Sequence, residues 1–323
     1  MPICIIRLNY LDLPDTVAPV LISEVLIMSK AKIAELVERR VSAGGMVETG
    51  IPGVQLFKIT ESIRCAPAVY EPAITAVVSG AKEAIVDGEK HIYDNSKYIC
   101  CTMSMPIEAG TPKASPTNPL LGVYITLNTR VMTELAIELE STLGSTNLPK
   151  GVPHPKGLTT ARWDDEFTDA LTRLVSLEGS TTDIAILGAG RIRELYYAIL
   201  KGDSGYAARR AFGVGNEIAR SIEFLSSNLS EAITIDDMAG HIGMSRAVFH
   251  RKFKQATNLS PIQFIKSMRL NNAAMRIAEG TNVNVAAMEV GYTSSSQFSR
   301  EFKRLYGQSP KQWRQSNGRV YSA

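Results

Sequence analysis

Phe249-His250-Arg251-Lys252-Phe253-Lys254 returns 49 residues later as Phe298-Ser299-Arg300-Glu301-Phe302-Lys303, and each copy closes on a Ser-Pro pair, Ser260-Pro261 and Ser309-Pro310. One template, Phe-x-Arg-x-Phe-Lys-x5-Ser-Pro, fits both. Upstream of each copy stands Ala-x3-Gly, at Ala239 with Gly243 and at Ala287 with Gly291. A duplication of this kind predicts two copies of one small structural unit.

Each unit reads as a short helix, a glycine turn and a second helix. In the first copy Thr234 precedes Ile235-Asp236-Asp237, a capping-box-like start with acid in the first turn. The helix is expected to stop at Gly243, which can take the left-handed conformation a tight turn requires. Ser245 is placed to cap a second helix from Arg246 to about Ala256. Phe249 and Phe253 lie four apart on one face and are assigned to core, while Arg246, His250, Arg251 and Lys254 fall largely on the other. The second copy follows suit, with Ser294 or Ser295 as cap, Phe298 and Phe302 inward, and Ser296, Gln297, Arg300, Lys303 and Arg304 outward. Its turn is one residue longer. Short helix, turn, and a second helix with an apolar back and a polar front describe a helix-turn-helix whose second helix enters the major groove.

Between the copies, Pro261–Glu279 reads as a spacer helix, with Pro261 suited to its first turn and Gly280 as its stop. At 1.5 Å per residue it spans roughly 28 Å, against about 34 Å between successive major-groove faces on one side of a duplex. Two recognition helices on one chain can therefore reach adjacent grooves. Charge agrees. Residues 216–323 hold 14 Lys and Arg against 8 Asp and Glu, a net +6, whereas residues 1–215 hold 21 against 24, a net −3. The basic excess lies where a phosphate-facing surface needs it.

These residues carry a family likeness. Ile222 to Trp313-Arg314 resembles the double helix-turn-helix domain of AraC-type bacterial transcription regulators. The matching residues are Ile235–Phe253, Arg269-Leu270, Val290-Gly291-Tyr292, Ser296–Arg300, Phe302-Lys303 and Gly307–Arg314. The resemblance implies base contacts from the early exposed turns of both recognition helices: Ala247, His250 and Arg251 in the first, Ser296, Gln297 and Arg300 in the second. Ala247 is too small for a polar contact and suits a thymine methyl at most. Ser245, Arg246, Lys254, Ser295, Lys303 and Arg304 are assigned to phosphates.

The amino-terminal half has a different period. Residues 1–22 are expected to form a leader tail; Arg7 breaks their apolar run, and they show neither a basic start nor a cleavage site. Ser23–Val41 reads as a helix. Val54–Thr60, Ala73–Ser79, Ala84–Val86, Lys90–Tyr93, Lys97–Thr102 and Leu120–Leu127 read as short strands, with Asp87-Gly88 as a hairpin turn. Thr129–Ser141 reads as helix, Gly144–Ala161 as a Pro- and Gly-rich loop, and Asp164–Leu177, Asp183–Leu200 and Tyr206–Asn228 as bridging helices. Closely spaced strands imply a small antiparallel barrel or sandwich. This half resembles the cupin-like amino-terminal domain of one branch of AraC-type regulators, through Thr49–Gly53, Val69–Pro72, Ser79–Lys82, Tyr93-Asp94, Tyr98, Ala114–Pro116 and Asn118-Pro119. The resemblance implies an effector-sensing and dimerising barrel.

The expected architecture is thus α+β and multidomain: a leader (1–22), a cupin-like β-barrel with flanking helices (23–143), a linker with bridging helices (144–215), an all-α double helix-turn-helix domain (216–315) and a tail (316–323). Arg64, Tyr93, Tyr98 and Tyr124 lie on or near the barrel strands and are the candidates for effector contact. Whether the barrel holds a pocket or only dimerises depends on strand register.

Several motifs are set aside. With four His in the chain, His91 and His154 isolated in the first half, and no Cys pair at zinc spacing, neither a metal nor another cofactor is expected. Cys100-Cys101 are neighbours on a strand and point to opposite faces; four Cys without a framework suggest a reducing cytoplasm. Gly188-Ala189-Gly190 lacks the third glycine of a dinucleotide fingerprint, and Gly202-Asp203-Ser204-Gly205 reads as a helix-connecting turn. A cupin-type enzyme with a DNA-binding tail would need a metal triad or an acid–base pair, and neither is visible. An architectural binder without sequence choice fits the polar second face poorly. The expected partners are double-stranded DNA, RNA polymerase, a small-molecule effector and a second copy of the chain, in the cytoplasm at the nucleoid.

Overall fold

A computed structural model describes residues 18–143, 157–213 and 216–317, with side chains from residue 29 to 315 within those ranges. Helix α1 (Ala18–Arg40) leads into nine strands: β1 (Gly45–Glu48), β2 (Val54–Ile59), β3 (Ile63–Tyr70), β4 (Ala73–Ser79), β5 (Ala81–Val86), β6 (Glu89–Asp94), β7 (Lys97–Cys101), β8 (Met105–Thr111) and β9 (Leu120–Thr126). Then come α2 (Thr129–Leu143), β10 (Leu158–Arg162), α3 (Asp165–Val175), α4 (Thr181–Lys201) and α5 (Gly205–Phe212). Seven helices complete the described chain: α6 (Glu217–Ser227), α7 (Ile235–His241), α8 (Arg246–Thr257), α9 (Pro261–Ala278), α10 (Val283–Glu289), α11 (Ser295–Tyr306) and α12 (Pro310–Asn317).

The strands form two antiparallel sheets, β1-β2-β9-β4-β7-β10 and β3-β8-β5-β6. The cupin-like barrel expected from sequence is therefore a sandwich of two facing sheets that do not close on each other. Alternation along the six-stranded sheet builds two cores. Ile74, Ala76, Leu121, Val123, Ile125 and Cys100 face helices α1 to α5, while Phe57, Val77, Leu120, Ile99 and Cys101 face the four-stranded sheet. The second core runs on without a break into Ile222, Phe249, Phe253 and Met268 of the carboxyl-terminal half.

The expected strands and the Asp87-Gly88 hairpin are present. Asp87 (φ 50°) and Gly88 (φ 77°) join β5 to β6 in a two-residue turn, since Val86 pairs with Glu89. Four further strands, β1, β3, β8 and β10, lie where the sequence predicts none. Pro67 in β3 and Pro106 with Gly110 in β8 look like breakers, yet β3 is an edge strand that tolerates Pro. The stretch read as the loop Gly144–Ala161 ends in strand β10, paired with β7 from Leu158↔Cys101 to Arg162↔Lys97; residues 144–156 lie outside the described residues. The leader reading is overturned from Ala18, where α1 already begins, and residues 1–17 lie outside the described residues. Tyr206–Asn228, read as one helix, is two. Gly213 ends α5 in extended backbone, and a Cβ there would meet Arg209 O at 2.5 Å. Helices α3 to α5 pack on the six-stranded sheet, and α5 also contacts α6 of the carboxyl-terminal half. No helix among the described residues is long and apolar enough to cross a membrane.

Gly122 on β9 shows how tightly the sandwich is filled. A Cβ there would lie 2.4 Å from the Phe57 ring and 2.5 Å from Ala76 O. Gly122→Ala is expected to destabilise the fold by about 1–3 kcal/mol through overpacking, read as a lowered midpoint of thermal unfolding; an unchanged midpoint would show that the sheets have room to part.

Candidate nucleic-acid interface

The first repeat unit is built by local rules. Thr234 and Asp237 form a complete capping box at the start of α7: the Thr234 hydroxyl accepts from Asp237 N (3.1 Å), and the Asp237 carboxylate accepts from Thr234 N (2.8 Å). Gly243 (φ 67°) makes the turn. Ser245 occupies the N-cap position of α8 with no side-chain cap bond, a departure from the capping role expected of it. Phe249 and Phe253 are fully buried, and Phe253 meets Phe264 of the spacer edge-on at 5.1 Å.

The second unit repeats this. Gly291 (φ 85°) turns the chain, and Ser294, not Ser295, caps α11 by accepting from Gln297 N at 3.3 Å. Phe298 and Phe302 are buried against Tyr292 and Trp313. Asn258 (φ 63°) and Gly307 (φ 72°) end α8 and α11 in the left-handed conformation at equivalent repeat positions. The Ser-Pro pairs that close the template in fact open the next helix. Ser260 with Gln263, and Ser309 with Gln312, form reciprocal caps, and Pro261 takes the first helical turn of α9.

The residues expected to meet bases, Ala247, His250 and Arg251 on α8 and Ser296, Gln297 and Arg300 on α11, are all exposed. So are Ser245, Arg246, Lys254, Ser295, Lys303 and Arg304. Helices α8 and α11 thus each keep an aromatic back inside and a polar front outside. Arg246 is held by Asp236 at 3.1 Å. Gln297 Nε2 donates to Glu301 Oε1 at 3.3 Å.

Two supporting residues lie behind these fronts. Arg269 of the spacer donates to Glu231 O (2.6 Å) before the first unit and to Gly291 O (3.4 Å) in the turn of the second, so one guanidinium fastens both. Glu301 is the other. It accepts from Tyr292 Oη (2.9 Å) and Gln297, with Lys266 Nζ at 3.5 Å. Partial burial works to raise its pKa, but these donors outweigh it and hold the carboxyl below the usual glutamate range. In the sequence Arg269 stands out only as part of the Arg269-Leu270 match. Glu301 is, in the sequence, only the variable position between Arg300 and Phe302, because Tyr292 and Lys266 lie outside its own helix.

The candidate effector residues do not gather in one place. Arg64 is exposed on β3. Tyr98 is buried in the helix-facing core, stacked on Phe167 at 4.0 Å and bonded to Ser204 Oγ at 3.0 Å. Tyr93 is buried between the sheets with its hydroxyl 2.9 Å from that of Tyr70, near Tyr124. Cys100 and Cys101 face opposite cores; burial pushes the Cys100 thiol up to about 12 and raises that of Cys101 as well, so both stay protonated at neutral pH. Among the described residues no three His, Cys, Asp or Glu side chains gather as metal ligands. A cleft of about 670 Å³ opens where the sandwich rim, α2 and α6 meet. Glu71 and Ser104 line it from the rim, Arg130 and Glu134 from α2, and Arg220 and Glu223 from α6.

Comparison with known proteins covers both halves. A family model described as the AraC-type transcriptional regulator N-terminus matches residues 50–207, and one described as a helix-turn-helix domain matches residues 238–316. The raffinose operon transcriptional regulatory protein RafR of Pediococcus pentosaceus is 30% identical over 149 residues, covering 46% of this chain and 53% of its own. The HTH-type transcriptional regulator MtrA of Neisseria gonorrhoeae is 38% identical over 85 residues, 26% of this chain and 28% of its own. The chain thus spans about half the length, or less, of these relatives. The crystal structure of ToxT from Vibrio cholerae O395, bound to (E)-4-(8-methylnaphthalen-1-yl)but-3-enoic acid, shares the fold at 14% identity and a TM-score of 0.52, over 81% of this chain and 97% of that one.

The Glu301 network makes a pH-dependent contribution. A carboxyl held below its unfolded-state pKa stabilises the fold above the ordinary glutamate range and loses that effect as pH falls through the depressed value. Glu301→Gln is expected to lower stability at pH 7 by about 1 kcal/mol, and the gap to the parent protein should close below about pH 4. Thermal unfolding across pH checks it; a gap that persists in acid would assign the loss to packing.

Proposed function

The chain belongs to the AraC-type transcriptional regulators, and from that membership we propose that it binds double-stranded DNA sequence-specifically through α8 and α11, under the control of a small molecule sensed by its amino-terminal half. The observation that carries this reading is the pair of uncovered polar fronts on duplicated helices, joined by one continuous spacer. At 1.5 Å per residue α9 is about 27 Å long, which suits two adjacent major grooves.

Arg251 and Arg300 can grip guanine O6 and N7, and Gln297 can grip adenine N6 and N7 once its amide leaves Glu301. His250 and Ser296 supply single hydrogen bonds, and Ala247 packs on a thymine methyl. Ser245, Arg246, Lys254, Ser295, Lys303 and Arg304 meet phosphates, giving affinity without sequence choice. Residues 216–315 form the DNA-binding unit. The sandwich with its covering helices is the sensing and dimerising unit, and the chain acts at the nucleoid in concert with RNA polymerase. It is a regulator and not a catalyst.

The space between the sheets is occupied by Phe57, Val77, Tyr93, Ile99, Ile107 and Leu120. The effector is therefore assigned to the cleft between α2 and α6, beside the rim residues Glu71 and Ser104, with a volume in the range of small-molecule sites. Tyr93 and Tyr124 support that rim from inside. Arg64 and Tyr98 are given no contact there.

Selection of duplexes from a random pool by the purified chain tests the main reading: a defined two-part sequence is expected, and recovery of unrelated sequences would refute it. Against the selected site, Arg300→Ala should weaken binding by about 1–3 kcal/mol and relax the preference at one position; unchanged affinity would remove Arg300 from the base contacts. Lys303→Ala should weaken all duplexes alike and reduce the slope of log affinity against log salt by about one. A sequence-dependent loss would instead make Lys303 a reader.

A further inference from the structure

Asn271 is a polar residue in the middle of the spacer helix, and it is 5% exposed. A buried primary amide is costly unless its donors and acceptor find partners. Here they do. Nδ2 donates to Ala68 O on β3 (2.8 Å) and to Ile107 O on β8 (3.0 Å), carbonyls of two residues that face each other in the four-stranded sheet. Oδ1 accepts from Tyr306 Oη at 2.6 Å. The amide's orientation is fixed by chemistry: reversed, its oxygen would face two carbonyl oxygens.

Tyr306 is the last residue of α11, the second recognition helix, and its ring packs against Phe302 (4.5 Å) and Trp313 (5.1 Å). A hydrogen-bonded line therefore runs from the sheet, through the spacer, to the second reading head. The first head has its own tie, since Gly157 N donates to Ala256 O in α8 at 3.0 Å. Both heads are thus referenced to the same sandwich, one directly and one through Asn271. Neither Asn271 nor Tyr306 reaches the exposed fronts of α8 and α11.

We propose that Asn271 is a positioning residue for DNA binding: by bolting the spacer helix to the β3–β8 pair and holding Tyr306, it fixes the separation and phase of the two reading heads. The inference rests on the DNA-binding reading above. In Asn271→Asp the shape is kept, but the donors become acceptors facing two carbonyls. In Tyr306→Phe only the hydroxyl is lost and the ring contacts stay, so this variant tests the link even where the first fails to fold.

The full-length chain is assayed on three duplexes: the site it selects, the same site with one base pair inserted between its two parts, and one part alone. One added base pair shifts and rotates one part against the other, so the parent chain should bind the lengthened site about tenfold more weakly or worse. In Tyr306→Phe, and in folded Asn271→Asp, that ratio should fall to about threefold or less, with binding to the single part unchanged. General destabilisation would instead lower binding to all three alike and leave the ratio intact. A ratio equal to the parent's in Tyr306→Phe overturns the positioning role while the DNA-binding reading stands. A parent chain that selects no sequence overturns both.

Discussion

Helix α9 has to satisfy three neighbours with one cylinder. Phe264, Ile265 and Met268 belong to the core that joins the sandwich to the first repeat, and Leu270, Ala273, Ala274 and Ile277 belong to the core of the second. Asn271 faces the four-stranded sheet. A helix with apolar contacts around so much of its girth cannot show a narrow hydrophobic stripe. Its small residues are part of the solution. At Ala274 the side chain is short enough for Trp313 to come within 3.0 Å of the helix's own carbonyl and donate to it. The two repeats are consequently not beads on a string. They share one beam, and the beam rests on the sandwich.

The sandwich answers the same demand from the other side. Because successive strand residues point to opposite faces, its six-stranded sheet serves the helices with one set of side chains and the second sheet with the other. Cys100 and Cys101 mark the division within a single dipeptide. Gly122 marks its limit, where the Phe57 ring takes the space a side chain would need. A core filled in this way transmits displacement and leaves little interior room for a ligand.

The double helix-turn-helix was legible in the sequence because its instructions are local and written twice. Turn glycines, caps and the Phe pairs act within a few residues of one another, and the repeat distinguishes them from coincidence. Where two serines competed as cap, only geometry separated Ser294 from Ser295. The amino-terminal half was legible where strands are β-branched and uninterrupted. It was not legible at β3 and β8: Pro67 is tolerated because β3 is an edge strand, and Pro106 because it lies outside the stretch of β8 that pairs with β5. Nor was it legible at β10, a five-residue strand at the end of a Pro- and Gly-rich stretch. Asn271 belongs to the same class. Nothing within its own helix announces that its amide has carbonyls to meet on residues 68 and 107.

Among the described residues the fronts of α8 and α11 are exposed, and under the proposed function this bears on how control would work. Among the described residues nothing masks α8 or α11, so the proposed effector would not act by lifting such a mask. On the proposed reading, what it would change is the placement of two heads that enter one duplex together, held by a single spacer. The cleft proposed for the effector is walled on one side by α2 of the sandwich unit and on the other by α6, which packs beside the first reading head through Ile222 and Leu225. Packed side chains connect α6 to α8, and the second repeat is reached both through α9 and through Leu229, which follows α6 and packs against both cores. On the proposed reading, the seat of the spacer on the sheet is one route by which a displacement at the cleft reaches the second head, and the amide of Asn271 is a directional contact in that seat.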